Sequence, residues 1–440
     1  MASVPDKTNH RSAHSEGGGG GAGQAGGVQL VKRVTCPHCW HLFRPEQVLW
    51  VAQHEDLMGD PVLREEPLRF LPTHYNLAGQ AIDGRGMPCH QIACPNCHLV
   101  IPRVLLENEI TFISIIGSAG SGKSNFLAAM TWELRQRLAR QFSIIFGDGD
   151  KEANWILNHY EETLFLPDDP DKPVVLDKTR TQGDLYRTVN LGGQETQLPK
   201  PFLFSIHPGN DHPRASLRAR LGRIVCLYDN AGEHYGVGQD TALSPVTRHL
   251  ARSKVLMFLF DPTQDPRFRA RCKGLSSDPQ ILEPRNTVRQ ETILTEATLR
   301  VRRHAGLSAY QKFERPLLVL VAKSDIWGPL LDEDITTDPI LTDSEGKTHL
   351  AVVDMVRVER VSMKLRKLLL EISPETVTIA EDFSSDVLYM PVSALGHSPE
   401  AQEGRPGLGV RPRDIKPRWV TIPLLYSYAR WATGLIAGLR

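Results

Sequence analysis

The chain has 440 residues, a length that predicts one large domain and a smaller one rather than a single compact core. Hydrophobic residues make up 41% and charged residues 23%, which is typical of a globular protein. The 51 basic and 51 acidic residues balance to a formal charge of zero, so composition gives no reason to expect nucleic acid or an anionic membrane as a partner.

The amino-terminal region carries no apolar segment of the kind found in secretory signals, and no apolar run is long enough to span a bilayer. We therefore expect a cytoplasmic protein in a reducing compartment. There, CxxC pairs hold metal or do redox chemistry more often than they form disulfides. Residues 1–28 are polar and include GGGGGAGQAGG, a composition that predicts a disordered tail.

Residues 30–105 are predicted to form a small zinc-ribbon-like module with a long insertion. TCPHC at 35–39 and ACPNC at 93–97 supply four thiols, and tetrahedral Zn²⁺ takes four such ligands. The predicted zinc ligands are Cys36, Cys39, Cys94 and Cys97. Nearby alternatives are His38, His41, Cys89, His90 and His98.

Two other interpretations of this module are disfavoured. A redox pair is not expected, because no βαβ pattern surrounds either CxxC motif. The module lacks an alternation of aromatic and basic residues, so we expect it to contact protein rather than nucleic acid.

Residues 110–440 are predicted to form one α/β domain. Apolar runs that suit buried strands occupy residues 111–116, 202–207, 223–228, 254–260, 316–322 and 387–393. Helical patterns lie between them, at 124–142, 286–305 and 350–371. This alternation predicts a doubly wound, mostly parallel sheet. Residues 143–200 and 262–285 are interpreted as long insertions.

The stretch GSAGSGKS at 117–124 fits the phosphate-binding pattern GxxxxGK[ST] in full, and it lies between a predicted strand and a predicted helix. Glycines let backbone N–H groups turn inward to phosphate oxygens, and the helix directs its positive end at the same anion. Lys123 is expected to reach the β- and γ-phosphates, and the Ser124 hydroxyl to ligate Mg²⁺. The residues predicted to bind the nucleotide here are Gly117, Ser118, Gly120, Ser121, Gly122, Lys123, Ser124 and Asn125.

Three further motifs follow in order, each at the end of a predicted strand. DNAGE offers Asp229 for Mg²⁺ and the Gly232 N–H for the γ-phosphate. In AKSD, the Asp325 carboxylate can accept two hydrogen bonds from guanine while the stem of Lys323 covers the ring. The SAL sequence places Ser393 and Ala394 where a backbone N–H can meet guanine O6. All four motifs fall at the sheet edge where open α/β sheets bind ligands.

This motif set resembles the TRAFAC class of P-loop GTPases over roughly residues 110–437. The two CPxC knuckles, DNAGE and the late PLLYSYA helix further resemble bacterial double-GTPase families of conflict and signalling systems. The resemblance implies a Ras-like fold, GTP and Mg²⁺ as cofactors, and a GTPase-activator-like or effector protein as partner.

The sequence departs from that class at several positions. Ala322 stands where the guanine motif usually opens with Asn or Thr, which removes a bracing hydrogen bond. Glu233 replaces the water-orienting Gln, so we expect slow hydrolysis that a partner's arginine stimulates, while His234 is an alternative water-orienting group.

The first switch needs a threonine to sense Mg²⁺ and the γ-phosphate. Thr179 and Thr181 are candidates, Thr188 lies close by, and Thr181 is the one assigned here. The predicted catalytic residues are therefore Lys123, Glu233 and Thr181.

Two competing functions remain open at this point. A P-loop kinase or ATPase would use arginines as a lid, and RVRRH at 300–304 could provide them, although AKSD would then have no role. A nucleotide-stabilised, zinc-containing scaffold would bind GTP without turnover.

Overall fold

The computed structural model describes residues 30–176, 186–229, 247–282, 287–342, 350–401, 408–432 and 434–439. Within these ranges the fold is mixed α/β, as predicted. No helix in this part of the chain is long and apolar enough to cross a membrane.

Seven strands form the central sheet. They are β1 (Glu109–Gly117), β2 (Ile144–Asp148), β3 (Phe202–Pro208), β4 (Arg223–Asp229), β5 (Val255–Phe260), β6 (Leu317–Val321) and β7 (Val387–Pro391). Their spatial order is β2-β3-β4-β1-β5-β6-β7. The five strands from β4 to β7 in that order run parallel, whereas β2 and β3 are antiparallel to their neighbours. The prediction of a mostly parallel sheet is confirmed.

Seven helices of seven residues or more accompany the sheet in the described ranges. They are α1 (Lys123–Phe142), α2 (Lys151–Phe165), α3 (Pro266–Cys272), α4 (Gln290–Ala305), α5 (Met355–Ile372), α6 (Pro374–Phe383) and α7 (Ile422–Trp431). Shorter ones span Arg218–Leu221, Arg248–Arg252, Pro279–Leu282 and Ser324–Trp327. The apolar stripe predicted for α1 is its buried face, where Leu134 and Leu138 are fully buried.

The remaining strands are short and lie outside the central sheet. The amino-terminal module contains the pairs Val34–Thr35 with Leu42–Phe43 and Met58–Asp60 with Arg64–Pro67, and a sheet of Arg69–Phe70, Leu49–Val51, Ile92–Ala93 and Val100–Ile101. Further along are the pairs Tyr186–Leu191 with Gln194–Pro199 and Glu400–Ala401 with Leu408–Gly409, and a sheet of Ile340–Thr342, Ala351–Asp354 and Gly438–Leu439.

The two faces of β4 pack against different layers, because successive side chains of a strand point to opposite sides. Val225 and Leu227 join the main core with the helices. Ile224, Cys226 and Tyr228 join a second core that also contains all four cysteines of the CxxC motifs. The cysteine module therefore covers one face of this part of the sheet.

Two predictions about local structure need correction. Residues 143–200 are not one long insertion, because β2, α2 and the hairpin Tyr186–Leu191/Gln194–Pro199 occupy most of this segment. The helix predicted over 350–371 begins with strand Ala351–Asp354, and α5 starts only at Met355. The Asp354 side chain accepts a hydrogen bond from the Arg357 N–H at 2.9 Å, which is an N-cap that fixes the helix start.

Candidate functional site

The P-loop connects β1 to α1 at the carboxyl edge of the sheet. Gly120 and Gly122 have φ of 73° and 90°, values that other residues rarely adopt. A Cβ on Gly117 would lie 2.9 Å from the Leu259 carbonyl oxygen, so glycine is also required there by close approach to β5. Ser121 Oγ donates to the Ser118 carbonyl at 2.9 Å. The loop is thus a tight, preformed turn that leads into a helix N-terminus.

Lys123 lies inside this loop. Its ammonium group donates to the carbonyls of Gly117 and Ser118 at 2.9 and 2.8 Å. Burial lowers the pKa of Lys123, and the charge of Asp229 opposes that shift. The two residues form the charged centre of the P-loop end of the site.

Asp229 ends β4, and its side chain is buried. Burial raises its pKa to about 6, against the stabilising charge of Lys123. Within the described residues its Oδ1 atom has no hydrogen-bond partner. An unsatisfied carboxylate oxygen whose charge interacts with the P-loop lysine fits Mg²⁺, which prefers oxygen ligands. Asp229 and Ser124 are the described residues that would hold this ion.

Gln264 braces the P-loop from the segment after β5. Its side-chain oxygen accepts from Ser118 Oγ at 2.6 Å, and its amide nitrogen donates to the Ala119 carbonyl at 3.0 Å. Gln264 is only 4% exposed, and its hydrogen bond with Ser118 is buried, whereas the one to the exposed Ala119 is partly buried. The sequence analysis did not identify this residue.

The opposite end of the site contains Asp325 and Ser393. The Ser393 hydroxyl donates to Asp325 Oδ1 and accepts from the Gly396 N–H at 2.8 Å. These contacts fix the carboxylate at the ends of β6 and β7, next to Ala394, as the order of the motifs predicted.

Lys323 is held by a network that the sequence analysis also missed. Its ammonium donates to Asp261 Oδ2 at 2.7 Å, Thr263 Oγ1 at 2.8 Å and Gln280 Oε1 at 2.8 Å. All three partners belong to the segment 261–282. Lys323 has φ of 54°, a conformation that this network stabilises.

Ala322, which lacks the usual side-chain brace, is held by two contacts from outside that segment. The carbonyl of Ala322 accepts from Trp327 Nε1 at 2.7 Å, and its N–H donates to the Phe260 carbonyl at 2.8 Å. Main-chain contacts, together with Gln264, therefore connect the AKSD loop and the P-loop through β5. The predicted insertion 262–285 thus supports the site rather than lying apart from it.

One cavity of about 480 Å³ joins the two ends. Its walls include Gly120, Ser121, Gly122 and Asn125 at one end, and Lys323, Asp325, Ser393 and Ala394 at the other. Val174 and Val410 also line it, and each donates its N–H to the other's carbonyl at 2.9 Å. The volume lies within the range of about 300–1,000 Å³ that is usual for small-molecule sites.

Several predicted site residues lie outside the described part of the chain. They are Thr179, Thr181, Gly232, Glu233 and His234. Thr188 is described, and it lies on the strand Tyr186–Leu191 opposite Gln197, away from the residues that line the cavity. Their roles stay predictions.

The four cysteines of the CxxC motifs converge at a second candidate site. All four Sγ atoms lie within 4.8 Å of one another, and the Cys36–Cys97 and Cys39–Cys94 distances are both 3.7 Å. Four thiolates bound tetrahedrally at about 2.3 Å would be separated by about 3.8 Å. The geometry therefore fits a zinc ion.

The two knuckles have matching backbone geometry. The N–H groups of His38 and Asn96 each lie 3.4 Å from the first sulfur of their knuckle. Trp40 and His98, the residues after the second cysteine, both have positive φ, at 58° and 59°. Burial raises the pKa of the Cys36 thiol, so a cation is needed to hold thiolates here.

The alternative ligands have other contacts. The His38 ring lies 3.5 Å from the Pro199 carbonyl and 3.3 Å from the Val100 carbonyl. His98 Nδ1 contacts Asp60 at 2.8 Å, and His90 contacts Gln80 at 2.8 Å. None of these side chains belongs to the metal-binding group found in the described residues.

Comparison with curated proteins gives one named relative, and no family model matches the chain. A putative ESX-1 scaffolding and assembly protein, SaeC, from Mycolicibacterium smegmatis is 23% identical over 423 residues. The alignment covers 88% of this chain and 98% of that protein. The alignment therefore spans most of this chain and nearly all of the relative.

Solved structures with low overall similarity include GTP- and GDP-bound proteins. The GTPase-like domain of Ski7 from S. cerevisiae, bound to GTP, is 12% identical with a TM-score of 0.24, and the match covers 68% of this chain and 48% of that one. The GTP-bound SRb/SRX complex from Chaetomium thermophilum is 14% identical with a TM-score of 0.24. That match covers 67% of this chain and 95% of the other. Sup35 with GDP is 13% identical with a TM-score of 0.21, and the match spans 38% of that structure.

Proposed function

We propose that this chain is a GTP-binding switch that hydrolyses GTP slowly and depends on a partner protein for faster turnover. The observation that carries the proposal is the single cavity with the P-loop at one end and Asp325 with Ser393 at the other. The P-loop end would bind the triphosphate, and the end with Asp325 and Ser393 would bind the guanine base. The parallel strands place both at one sheet edge.

The phosphate end supports nucleotide binding through fixed donors. P-loop residues 120–122 and Asn125 in the first turn of α1 line the same cavity, so an anion bound there would require little reorganisation. Lys123 would exchange the carbonyls of Gly117 and Ser118 for phosphate oxygens. When bound, Mg²⁺ would neutralise phosphate charge, and Ser124 and Asp229 are the residues that would hold it.

The base end supports guanine over adenine. The Asp325 carboxylate is an acceptor only, and guanine offers it two adjacent donors, the N1–H and the N2 amine, a pair that adenine lacks. The hydrogen bond from Ser393 fixes the carboxylate, and the network around Lys323 fixes the loop. Slow hydrolysis follows from Glu233 beside Gly232, since a carboxylate is repelled by a polyphosphate, and an arginine from a partner would compensate.

The kinase or ATPase alternative finds no support in the predicted arginine lid. Arg300 is 1% exposed and pairs with Glu296 at 2.9 Å. Arg302 donates to the carbonyls of Ser308 and Gln311. Neither arginine lines the cavity.

A scaffold that binds GTP without turnover is the second candidate. The printed name of the relative SaeC, a scaffolding and assembly protein, favours it. A switch and a scaffold share the nucleotide site and differ only in hydrolysis, so single-turnover GTP hydrolysis separates them. A protein-binding role in a conflict or signalling system is consistent with either function.

Nucleotide competition tests the proposal. We expect GTP to bind more tightly than ATP, and Asp325→Asn to weaken GTP and favour xanthosine triphosphate, because the amide inverts the hydrogen-bond pattern. Lys123→Ala should abolish binding of both nucleotides. The exposed Asp168→Asn is the matched control and should change nothing. Equal affinity of the unmodified protein for ATP and GTP would contradict guanine selection.

A further inference from the structure

A second cavity, of about 660 Å³, lies at the opposite edge of the central sheet. It is lined by the amino-terminal ends of strands, including Glu109–Ile113 of β1, Arg223 of β4 and Val255 of β5. Tyr428 and Trp431 of α7 form part of another wall. The P-loop follows the carboxyl end of β1, so the length of that strand, roughly 25 Å at about 3.3 Å per residue, separates the two cavities.

Positive charge dominates this second cavity. Arg223 pairs with Glu109 at 3.4 Å. Arg252 and Lys254 are exposed, and neither forms an ion pair within the described residues. The other carboxylate on the wall is the exposed Glu314.

Arg315 adds a third cation beside these two. Its guanidinium donates through Nη1 to the carbonyls of Ala251 at 3.1 Å and Ser253 at 2.8 Å, so it is fixed in place. Burial lowers the pKa of Arg315, and the charge of Arg252 lowers it further. Like charges held close together cost free energy, and an anion between them would remove that cost. The remaining guanidinium donors are oriented by the anchored group.

The rest of the wall combines apolar side chains with the hydroxyl-bearing Thr35, Thr111, Ser427 and Tyr428. Val255, Pro316, Trp431 and Leu435 line it, and the volume suits a small molecule rather than an extended chain. We propose that this cavity binds a small organic oxyanion, a phosphate or carboxylate on a compact apolar body, with Arg252, Lys254 and Arg315 contacting the charged group. This proposal is independent of the GTP site.

Phenyl phosphate and benzoate are suitable probes, with phenol as the neutral analogue. We would titrate each into the full chain by calorimetry, with saturating GDP and Mg²⁺ present so that the P-loop cannot capture the phosphate. At least one anion should bind, phenol should not, and Arg252→Gln/Lys254→Gln should weaken that binding by about tenfold or more. The exposed Lys273→Gln, whose side chain does not line the cavity, is the matched control.

The two probes also identify the oxyanion, because a phosphate site binds phenyl phosphate more tightly and a carboxylate site binds benzoate more tightly. The proposal is overturned if neither anion binds at up to about 10 mM, a concentration far above useful small-molecule affinities. It is also overturned if the double variant binds as tightly as the unmodified chain, or if a tetraglutamate peptide binds better than both probes.

Discussion

Gln264 connects two loops that border the proposed nucleotide cavity through one buried amide. It contacts Ser118 and Ala119 of the P-loop, and it lies one residue after Thr263, which binds Lys323. The residue therefore ties the phosphate end to the segment that holds the base end. Its importance comes from where it lies rather than from any charge.

Gln264→Ala should weaken GTP binding by about tenfold, because the P-loop loses a buried donor and a buried acceptor together. Equilibrium titration with a fluorescent GTP analogue measures this change. Gln194→Ala, at the exposed start of the second hairpin strand, is the control. Unchanged affinity in Gln264→Ala would mean that the P-loop keeps its shape without the brace.

We expect Asp229 to make Mg²⁺ binding dependent on pH. Its pKa in the nucleotide-free chain is about 6, so the carboxyl group takes up a proton as the pH falls through that value. A protonated carboxyl cannot ligate a cation, and the benefit of Mg²⁺ for GTP affinity should decline between about pH 7 and pH 5.

Asp229→Asn should remove both the Mg²⁺ effect and its pH dependence in the same titration. The same raised pKa means that the folded, nucleotide-free chain loses stability as pH rises from about 4 to about 6, because the unfolded chain releases this proton more easily. An Mg²⁺ effect that persists unchanged at pH 5 would contradict this role.

The strand-end motifs could be predicted from the sequence because parallel strands share one carboxyl edge. Asp325 and Ser393 lie within hydrogen-bond distance of each other for that reason. Gln264, Asp261 and Gln280 could not be predicted, because their contacts depend on how an unpatterned segment folds back in three dimensions. A side-chain hydrogen bond between distant loops leaves no periodic signal in the sequence.

Strand β4 connects the cysteine module to the nucleotide site. The Tyr228 hydroxyl accepts from Trp40 Nε1 at 2.9 Å and donates to the Pro37 carbonyl at 2.5 Å, both in or next to the first knuckle. Tyr228 immediately precedes Asp229. Its ring stacks on His249, at 4.4 Å between centroids, on the short helix Arg248–Arg252.

Tyr228→Phe should lower the free energy of unfolding by about 1–3 kcal/mol, because the buried Trp40 N–H and the Pro37 carbonyl both lose their partner. Urea denaturation measures the change. Tyr389→Phe is the matched control, since its hydroxyl makes one partly buried contact with Glu381 and should matter less. Equal losses in the two variants would contradict a special role for this contact.

The hydrophobic pattern of the sequence predicted most of the central strands and helices, but it missed some strands and included one strand in a predicted helix. Each of the six apolar runs became a central strand, because runs of that length suit strands buried on both faces. Strand β2 and the hairpin after α2 were missed within residues 143–200. Those strands have mixed polarity, since they lie at the sheet edge or on the surface, where burial imposes a weaker pattern.

At the scale of the whole molecule, the cysteine module replaces a helical layer on one face of β4. Its four sulfurs belong to the same core as Phe112, Ile224 and Tyr228. A small module of short strands buries little apolar surface, so a metal bound to the four sulfurs would supply much of its folding free energy. Loss of the metal would therefore expose that face of the sheet.

Metal analysis should find one zinc ion per chain. Removal of zinc by a strong chelator should lower the unfolding temperature and weaken Mg²⁺–GTP binding, because Tyr228 contacts the knuckle and precedes Asp229. Calorimetry before and after chelation, with zinc restored as the control, measures both effects. Cys36→Ser/Cys39→Ser should reproduce the chelated state, and GTP affinity that survives zinc loss unchanged would contradict the coupling.

The paired main chains of Val174 and Val410 have a kinetic consequence. Two reciprocal hydrogen bonds join segments that both border the cavity in which we propose that the purine binds. A base seated between these segments would escape only when the pair separates, so we expect GDP to dissociate slowly and spontaneous exchange to limit reloading. A protein that separates this pair would then control the rate at which GDP is replaced by GTP.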